Sequence, residues 1–191
     1  MSNLIITEKI DRNFVVTFNN PVQRSPLSVA VVKELTAIIN GSKDDGSIDK
    51  VIFTGVGNIF AAGADLREVA AINTEDVKDF ARMGQHLMSL IEMLPQKTIA
   101  AINGLCYGGA LDLALACDER IASKNAEFCH PGARIGIMTG WGGTQRLPRL
   151  IGRAAALEMF MTAEPIDAES ARQIGLVKKI SDDSLAAALS D

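Results

Sequence analysis

The chain has only two histidines, His86 and His130. That excludes a histidine-rich metal centre, no H-E-x-x-H occurs, and no metal is expected. The three cysteines, Cys106, Cys117 and Cys129, stand in apolar surroundings, and none forms a C-x-x-C pair. An odd number argues against a disulfide framework, so buried free thiols are expected. Basic residues do not outnumber acidic ones, and the formal net charge is −4. There is no broad basic surface for phosphate backbones, so nucleic acid is not the expected partner, although a local basic pocket is allowed. No uninterrupted apolar run is long enough to cross a bilayer, and no membrane association is expected. The opening "MSNLIITEKI" has no basic n-region and no long apolar run. No signal peptide is expected, and a cytoplasmic location is the default. The phosphate loop G-x-x-x-x-G-K-[ST], a helix-opening G-x-G-x-x-G and the G-x-S-x-G elbow are all missing.

What remains is an ordinary globular composition, 48% hydrophobic and 22% charged over 191 residues. That length suits one domain, or one domain with an appendage, and can bury a substantial core. "FVVTFNN" and "KVIFTG" are β-branched and aromatic runs closed by turn residues, and predict strands. "SPLSVAVVKELTAIIN" between them has helical apolar spacing, with Ser25 or Ser28 as cap and Asn40-Gly41 as stop. "TEDVKDFARMGQHLMSLIEML" predicts a longer amphipathic helix capped by Thr74, with Pro95 beyond its end. "KTIAAING" predicts a buried strand and "GGALDLALACD" a helix. "ERIAS" and "AEFCH" predict short strands. "GTQRLPRLIG" and "GRAAALEMFMTA" predict helices, and "DAESARQIGLVKKI" a helix followed by a strand. Strands alternate with helices, and some strands follow each other directly. The fold class is therefore α/β.

Two glycine-rich turns carry the candidate chemistry. "TGVGNIFAAGADL", residues 54–66, follows a strand. Its small side chains at Ala61, Ala62, Gly63 and Ala64 let a ligand approach the backbone. Asp65 can cap the turn or helix that follows. The second turn, "NGLCYGGALDL", joins a buried strand to a helix starting near Gly108 or Gly109. The first N–H groups of a helix lack internal partners and carry partial positive charge. They can stabilise an oxygen that gains negative charge, and Gly109 has no side chain to block it. Asp112 lies one turn into this helix. Its side chain leans toward the helix N-terminus, and so toward whatever those amides hold. A first-turn acid complements the helix dipole by about 0.3–1 kcal/mol. That accounts for an acid, but not for one set among apolar residues.

Together, "FAAGADL", "AINGLCYGGALDLALACDERIAS" and "AEFCHPGARIGIMTGWGGTQRLPRLIG" resemble the crotonase superfamily of enoyl-CoA hydratases and isomerases. Order and spacing match from about Leu4 to Ile180. The resemblance implies a spiral of strand-strand-helix repeats that binds acyl-CoA thioesters, with 1–180 as its core. No cofactor is tightly bound; coenzyme A enters as part of the substrate. Two backbone N–H groups hold the thioester oxygen as an enolate, and by position these are Ala64 and Gly109. Gln23, Arg24 and Ser25, with Ala61 and Ala62, would run along the coenzyme A chain, and Arg24 could pair with a phosphate.

The sequence also departs from the family pattern. Hydratases of the family use two glutamates. Asp112 stands at the first position, one methylene shorter, and Gly132 at the second. Adding water to a conjugated double bond needs a base for the water and an acid for the α-carbon. Asp112 is the leading acid/base, and a displacement of ~1 Å can cost about 100-fold. His130, Arg134 and Trp141 lie near the gap. His130 can titrate near neutrality and is a catalytic candidate. Arg134 could bind an acyl-tail carboxylate, and Trp141 could line or narrow the acyl pocket. Family members continue for several helices beyond the position of Ile180. Residues 181–191 are read as the start of that helical part, most of which is missing here. Where it is present, the resemblance implies a homotrimer or a dimer of trimers. Hydration of a 2-enoyl-CoA leads. Double-bond isomerisation, decarboxylation, thioester hydrolysis, and coenzyme A thioester binding with little catalysis are the alternatives.

Overall fold

The computed structural model describes residues 4–191, so the first three residues of the N-terminal reading and of the 1–180 unit lie outside it. An antiparallel hairpin opens the chain, β1 (Ile5–Ile10) with β2 (Asn13–Phe18). The helix α1 (Val29–Ser42) follows. Ser28, one of the two expected caps, accepts from the Val31 N–H at 3.3 Å. Such a cap contributes about 1 kcal/mol. Val31, Val32, Leu35 and Ile39 form the buried stripe of α1.

Three repeats come next, and each begins with two consecutive strands. The first has β3 (Lys50–Gly55), β4 (Ile59–Ala61), α2 (Leu66–Ala71) and α3 (Val77–Glu92). The second has β5 (Lys97–Ile102), β6 (Leu105–Tyr107) and α4 (Gly109–Ala116). The third has β7 (Glu119–Ser123), β8 (Glu127–Cys129), a 3₁₀ turn at Pro131–Ile135, α5 (Gly143–Ile151) and α6 (Arg153–Thr162). The chain then runs through β9 (Ile166–Asp167), α7 (Ala168–Gln173), β10 (Lys179–Ser181) and α8 (Ser184–Leu189).

The first strand of each repeat joins one sheet and the second strand joins another. The larger sheet has the order β1-β2-β3-β5-β7-β10, parallel except for β1. The smaller has the order β4-β6-β8-β9, parallel except for β9. Stacking the repeats winds the two sheets into a spiral, which is the expected strand-strand-helix architecture.

Both faces of the larger sheet are covered, so its strands read as continuous apolar runs rather than alternating ones. Val16, Val51, Phe53, Ala100, Ile102 and Ala122 face the main core. Their neighbours Val15, Ile52, Ile99, Ala101 and Ile121 face the opposite side, where Ala187 and Ala188 of α8 pack on them. Residues 184–189 therefore sit on the same sheet as the three repeats.

α3 begins later than the sequence predicts. Thr74 is not its cap. The Asn73 side chain accepts from the Glu75 and Asp76 N–H groups at 3.1 and 3.0 Å, and this Asx-type turn occupies the amides a helix would need. Among the described residues, no helix is long and apolar enough to cross a membrane.

Buried Arg120 of β7 secures the far end of α4. Its Nη1 donates to the carbonyls of Cys117 at 2.8 Å and Ala114 at 3.3 Å, and its Nε to that of Leu176 at 2.8 Å. Helix C-terminal carbonyls lack internal partners and favour a cation there.

Candidate active site

The two glycine-rich turns meet. The turn after β4 is tied to the segment before α1: Leu27 N–H donates to Gly63 O at 2.7 Å, and Leu27 bridges Ala64. Gly63 adopts φ +80°, which favours glycine, and a Cβ on it would lie 2.6 Å from the Gly109 nitrogen. Only a residue without a side chain lets the turns approach so closely. Asp65 accepts from the Arg67 N–H at 2.9 Å and pairs with its guanidinium at 2.7 Å. It caps α2, as the sequence reading allows, and the Arg67 side chain holds its carboxyl below the usual range.

On the other side, the Gly108 N–H is already used, donating to Cys129 O at 2.8 Å. Gly109 is the first residue of α4, so its N–H has no intrahelical partner. A Cβ on Gly109 would sit 3.4 Å from the Ala64 nitrogen. The backbones of Ala64 and Gly109, the two expected oxyanion donors, are thus neighbours. Both line one cavity of about 300 Å³.

The walls of that cavity are largely apolar and include Phe80, Met138, Trp141 and Phe160. Trp141 is 2% exposed and its ring lies against two glycines. A Cβ on Gly84 would fall 2.2 Å from it and one on Gly109 2.6 Å. Trp141 both packs into the core and forms part of the cavity wall. Phe80 lies against it with ring centroids 5.6 Å apart.

Asp112 is 0% exposed and does not line the cavity. One oxygen accepts a hydrogen bond from the Thr139 hydroxyl. The other lies 3.6 Å from His130 Nε2 and has no hydrogen-bond partner among the described residues. A Cβ on Gly143 would lie 2.1 Å from that oxygen, so residues 139–143 close over the carboxylate. Its contacts therefore run to Thr139, His130 and Gly143. Burial pushes its pKa up from 3.8 to about 6, against the opposing pull of the Thr139 hydroxyl, the Trp141 and Gly143 amides, and Arg146.

His130 does line the cavity, although only 3% of it is exposed. Its ring lies against Phe160, centroids 5.0 Å apart. Neither ring nitrogen has a hydrogen-bond partner among the described residues. Burial lowers its pKa from 6.5 to about 4, so the ring is neutral at physiological pH. It is the one titratable side chain in the cavity wall among the described residues.

The remaining candidates fall into two groups. Gln23 and Ser25 line a smaller cleft of about 150 Å³, together with Asp65 and Arg67. Arg24 is exposed beside it with φ 60°. Ala62 lines the main cavity and its N–H donates to Ser25 O at 3.4 Å, so the two segments expected along coenzyme A touch. Ala61 is buried in β4. Arg134, expected near the acyl tail, does not line the main cavity and pairs with Glu164 instead. Among the described residues there is no group of three or more His, Cys, Asp or Glu placed to hold a metal ion.

Sequence reasoning missed Thr139, Phe80 and Phe160. Phe80 and Phe160 belong to apolar helix positions that look like ordinary core. Thr139 lies in "IMTGWGG", where nothing local ties it to an acid so far back in the chain.

Residues 12–187 match the model of the family described as enoyl-CoA hydratase/isomerase. The chain is 40% identical over 179 residues to the short-chain-enoyl-CoA hydratase of Clostridium acetobutylicum, covering 93% of this chain and 69% of that protein. It is 38% identical over 177 residues to the crotonyl-CoA hydratase of Syntrophomonas wolfei, covering 92% and 68%. The crystal structure of an enoyl-CoA hydratase from Bacillus anthracis matches with a TM-score of 0.92 at 37% identity, covering 98% of this chain and 74% of that one.

Proposed function

The chain belongs to the enoyl-CoA hydratase/isomerase family and has the crotonase fold, and from that premise we propose that it adds water to the double bond of a short 2-enoyl-CoA thioester. One observation carries this reading. Two backbone amides, Ala64 and Gly109, come together at an apolar cavity whose wall includes the His130 imidazole, with the Asp112 carboxylate 3.6 Å behind that ring. The thioester oxygen accepts from both amides and gains negative charge as water attacks C3. Fixed donors aimed at such an oxygen commonly contribute 10²–10³-fold each. Asp112, ionised above about pH 6 and lying behind the cavity wall, stores the proton that water gives up until it is delivered to C2. One acid/base group serving both steps delivers both parts of water to the same face. The size of the cavity, with Trp141 in its wall, supports a short acyl chain. Coenzyme A enters with the substrate and runs past Ala62 toward Gln23, Arg24 and Ser25.

Double-bond isomerisation is the second reading, and Gly132 favours it. Moving a proton between two carbons needs only one acid/base group, and position 132 supplies no second carboxylate. The test is to incubate the protein with crotonyl-CoA and, separately, a 3-enoyl-CoA, and to analyse the products by mass spectrometry and chromatography. Gain of one water on crotonyl-CoA is expected. Rearrangement of the 3-enoyl-CoA without hydration overturns the first reading in favour of the second. Binding of both with turnover of neither leaves a thioester-binding protein.

A further inference from the structure

We infer that His130 is the group that exchanges protons with the bound acyl chain, and that Asp112 acts through it from behind. This rests on the oxyanion-site reading above, and it changes which residue touches the substrate.

Three observations lead here. First, three buried polar atoms without hydrogen-bond partners among the described residues occur together: Asp112 Oδ1, His130 Nδ1 and His130 Nε2. Buried polar groups are nearly always paired, so each such atom needs an explanation. Among the described residues neither nitrogen of this buried ring is satisfied. Second, the two residues occupy successive layers. His130 lines the cavity that Ala64 and Gly109 also line, whereas Asp112 does not. Nε2 lies 3.6 Å from Asp112 Oδ1, so exchange with the substrate falls to Nδ1, the ring's other nitrogen. Third, position 132 cannot take up the role. A Cβ there would lie 2.4 Å from the Ile137 carbonyl oxygen, so the backbone has closed over the space a side chain would need. His130, two residues earlier, is the nearest titratable group that reaches the cavity.

The proton balance closes without another reactant. The neutral ring begins with its proton on Nε2, facing the Asp112 carboxylate. As the water oxygen bonds to C3, one water proton passes to Nδ1 and the Nε2 proton passes to Asp112. The electron pair of the C2–C3 bond becomes the enolate held at Ala64 and Gly109. In the second step the Nδ1 proton bonds to C2, and Asp112 returns its proton to Nε2. The substrate has gained H at C2 and OH at C3, and the pair is restored. Asp112 thus positions the ring, fixes its tautomer and stores a proton.

The test uses His130→Ala, His130→Gln and Asp112→Asn with two reactions. One is hydration of crotonyl-CoA. The other is exchange of the α-proton of butyryl-CoA in D₂O followed by NMR, which needs only the oxyanion site and a base. His130→Ala and His130→Gln are expected to lose about 10²–10⁴-fold in kcat with KM little changed. Added imidazole is expected to restore part of the His130→Ala rate with saturation, which a packing role does not produce. Asp112→Asn is expected to lose turnover without imidazole rescue. If His130→Gln keeps kcat within threefold of the parent, or imidazole fails to rescue His130→Ala, the inference is overturned and hydration stands. If the parent exchanges the α-proton but adds no water, hydration falls. The inference then stands or falls on whether His130→Ala loses exchange while still binding butyryl-CoA. A parent that does neither overturns both.

Discussion

Replacing Asp112 by Asn is expected to make the protein more stable at neutral pH while removing its activity. Burial raises the folded-state pKa of this carboxyl from 3.8 to about 6, a difference corresponding to about 3 kcal/mol. The folded protein therefore holds this proton more tightly than the unfolded chain does. That stability is fully present below pH 3.8 and is lost as pH rises through about 6. Above that, an ionised Asp112 costs the fold about 3 kcal/mol relative to the protonated form. Asparagine has the same shape and no charge, so Asp112→Asn is expected to gain about 2–3 kcal/mol near neutral pH and almost nothing near pH 4. His130 runs the other way. Its pKa falls from 6.5 to about 4 on folding, so its contribution is present above pH 6.5 and is lost as pH falls through about 4. In the parent the two trends offset each other over this interval. In Asp112→Asn only the histidine trend is left, and stability is expected to rise by about 3 kcal/mol from acid to neutral pH. Urea unfolding at a series of pH values, followed by the emission of buried Trp141 and by circular dichroism, measures this directly. A variant less stable than the parent at neutral pH, or a difference that does not shrink on acidification, refutes burial as the source of the shift.

Two substitutions address the surrounding wall. Gly109→Ala places a methyl 2.6 Å from the Trp141 ring, beside the Ala64 amide. It is expected to destabilise by about 1–3 kcal/mol and to lower kcat/KM for crotonyl-CoA by about 10²-fold or more; unchanged kinetics in a folded variant would place the oxyanion site elsewhere. Gly132→Glu, which restores the family's second carboxylate in name, is expected to push on the Ile137 carbonyl, cost about 1–3 kcal/mol and bring no gain in hydration rate; thermal unfolding and steady-state rates check both parts.

Most of the larger sheet was legible because its strands are apolar runs bounded by turn residues, but its edge strand β1 was not predicted. The Ser28 cap and the start of α4 were legible because their signals are local. β4 and β6 were not, since both lie inside glycine-rich segments that read as turns. The late start of α3 depended on the Asn73 side chain taking amides that the spacing assigned to the helix. The site divided in a similar way. Gly109 followed from the helix-end argument and Ala64 from the family resemblance. The contacts of Asp112 did not follow from either, because Thr139 and Gly143 reach it from a later part of the chain. His130 was visible as a candidate. Its closeness to Asp112 was not, because β8 delivers it there through the smaller sheet.

Arg120 gives α4 an unequal pair of ends. The end that would hold the enolate is left open, while the other is clamped by a cation that also grips Leu176, 56 residues along the chain. The stiffness of the oxyanion site is therefore set partly by a segment that lines no part of the acyl cavity. Damage near Leu176 would register as lost catalytic precision before it registered as lost binding. A screen for activity alone would then mark as functional a residue whose job is to hold a helix still.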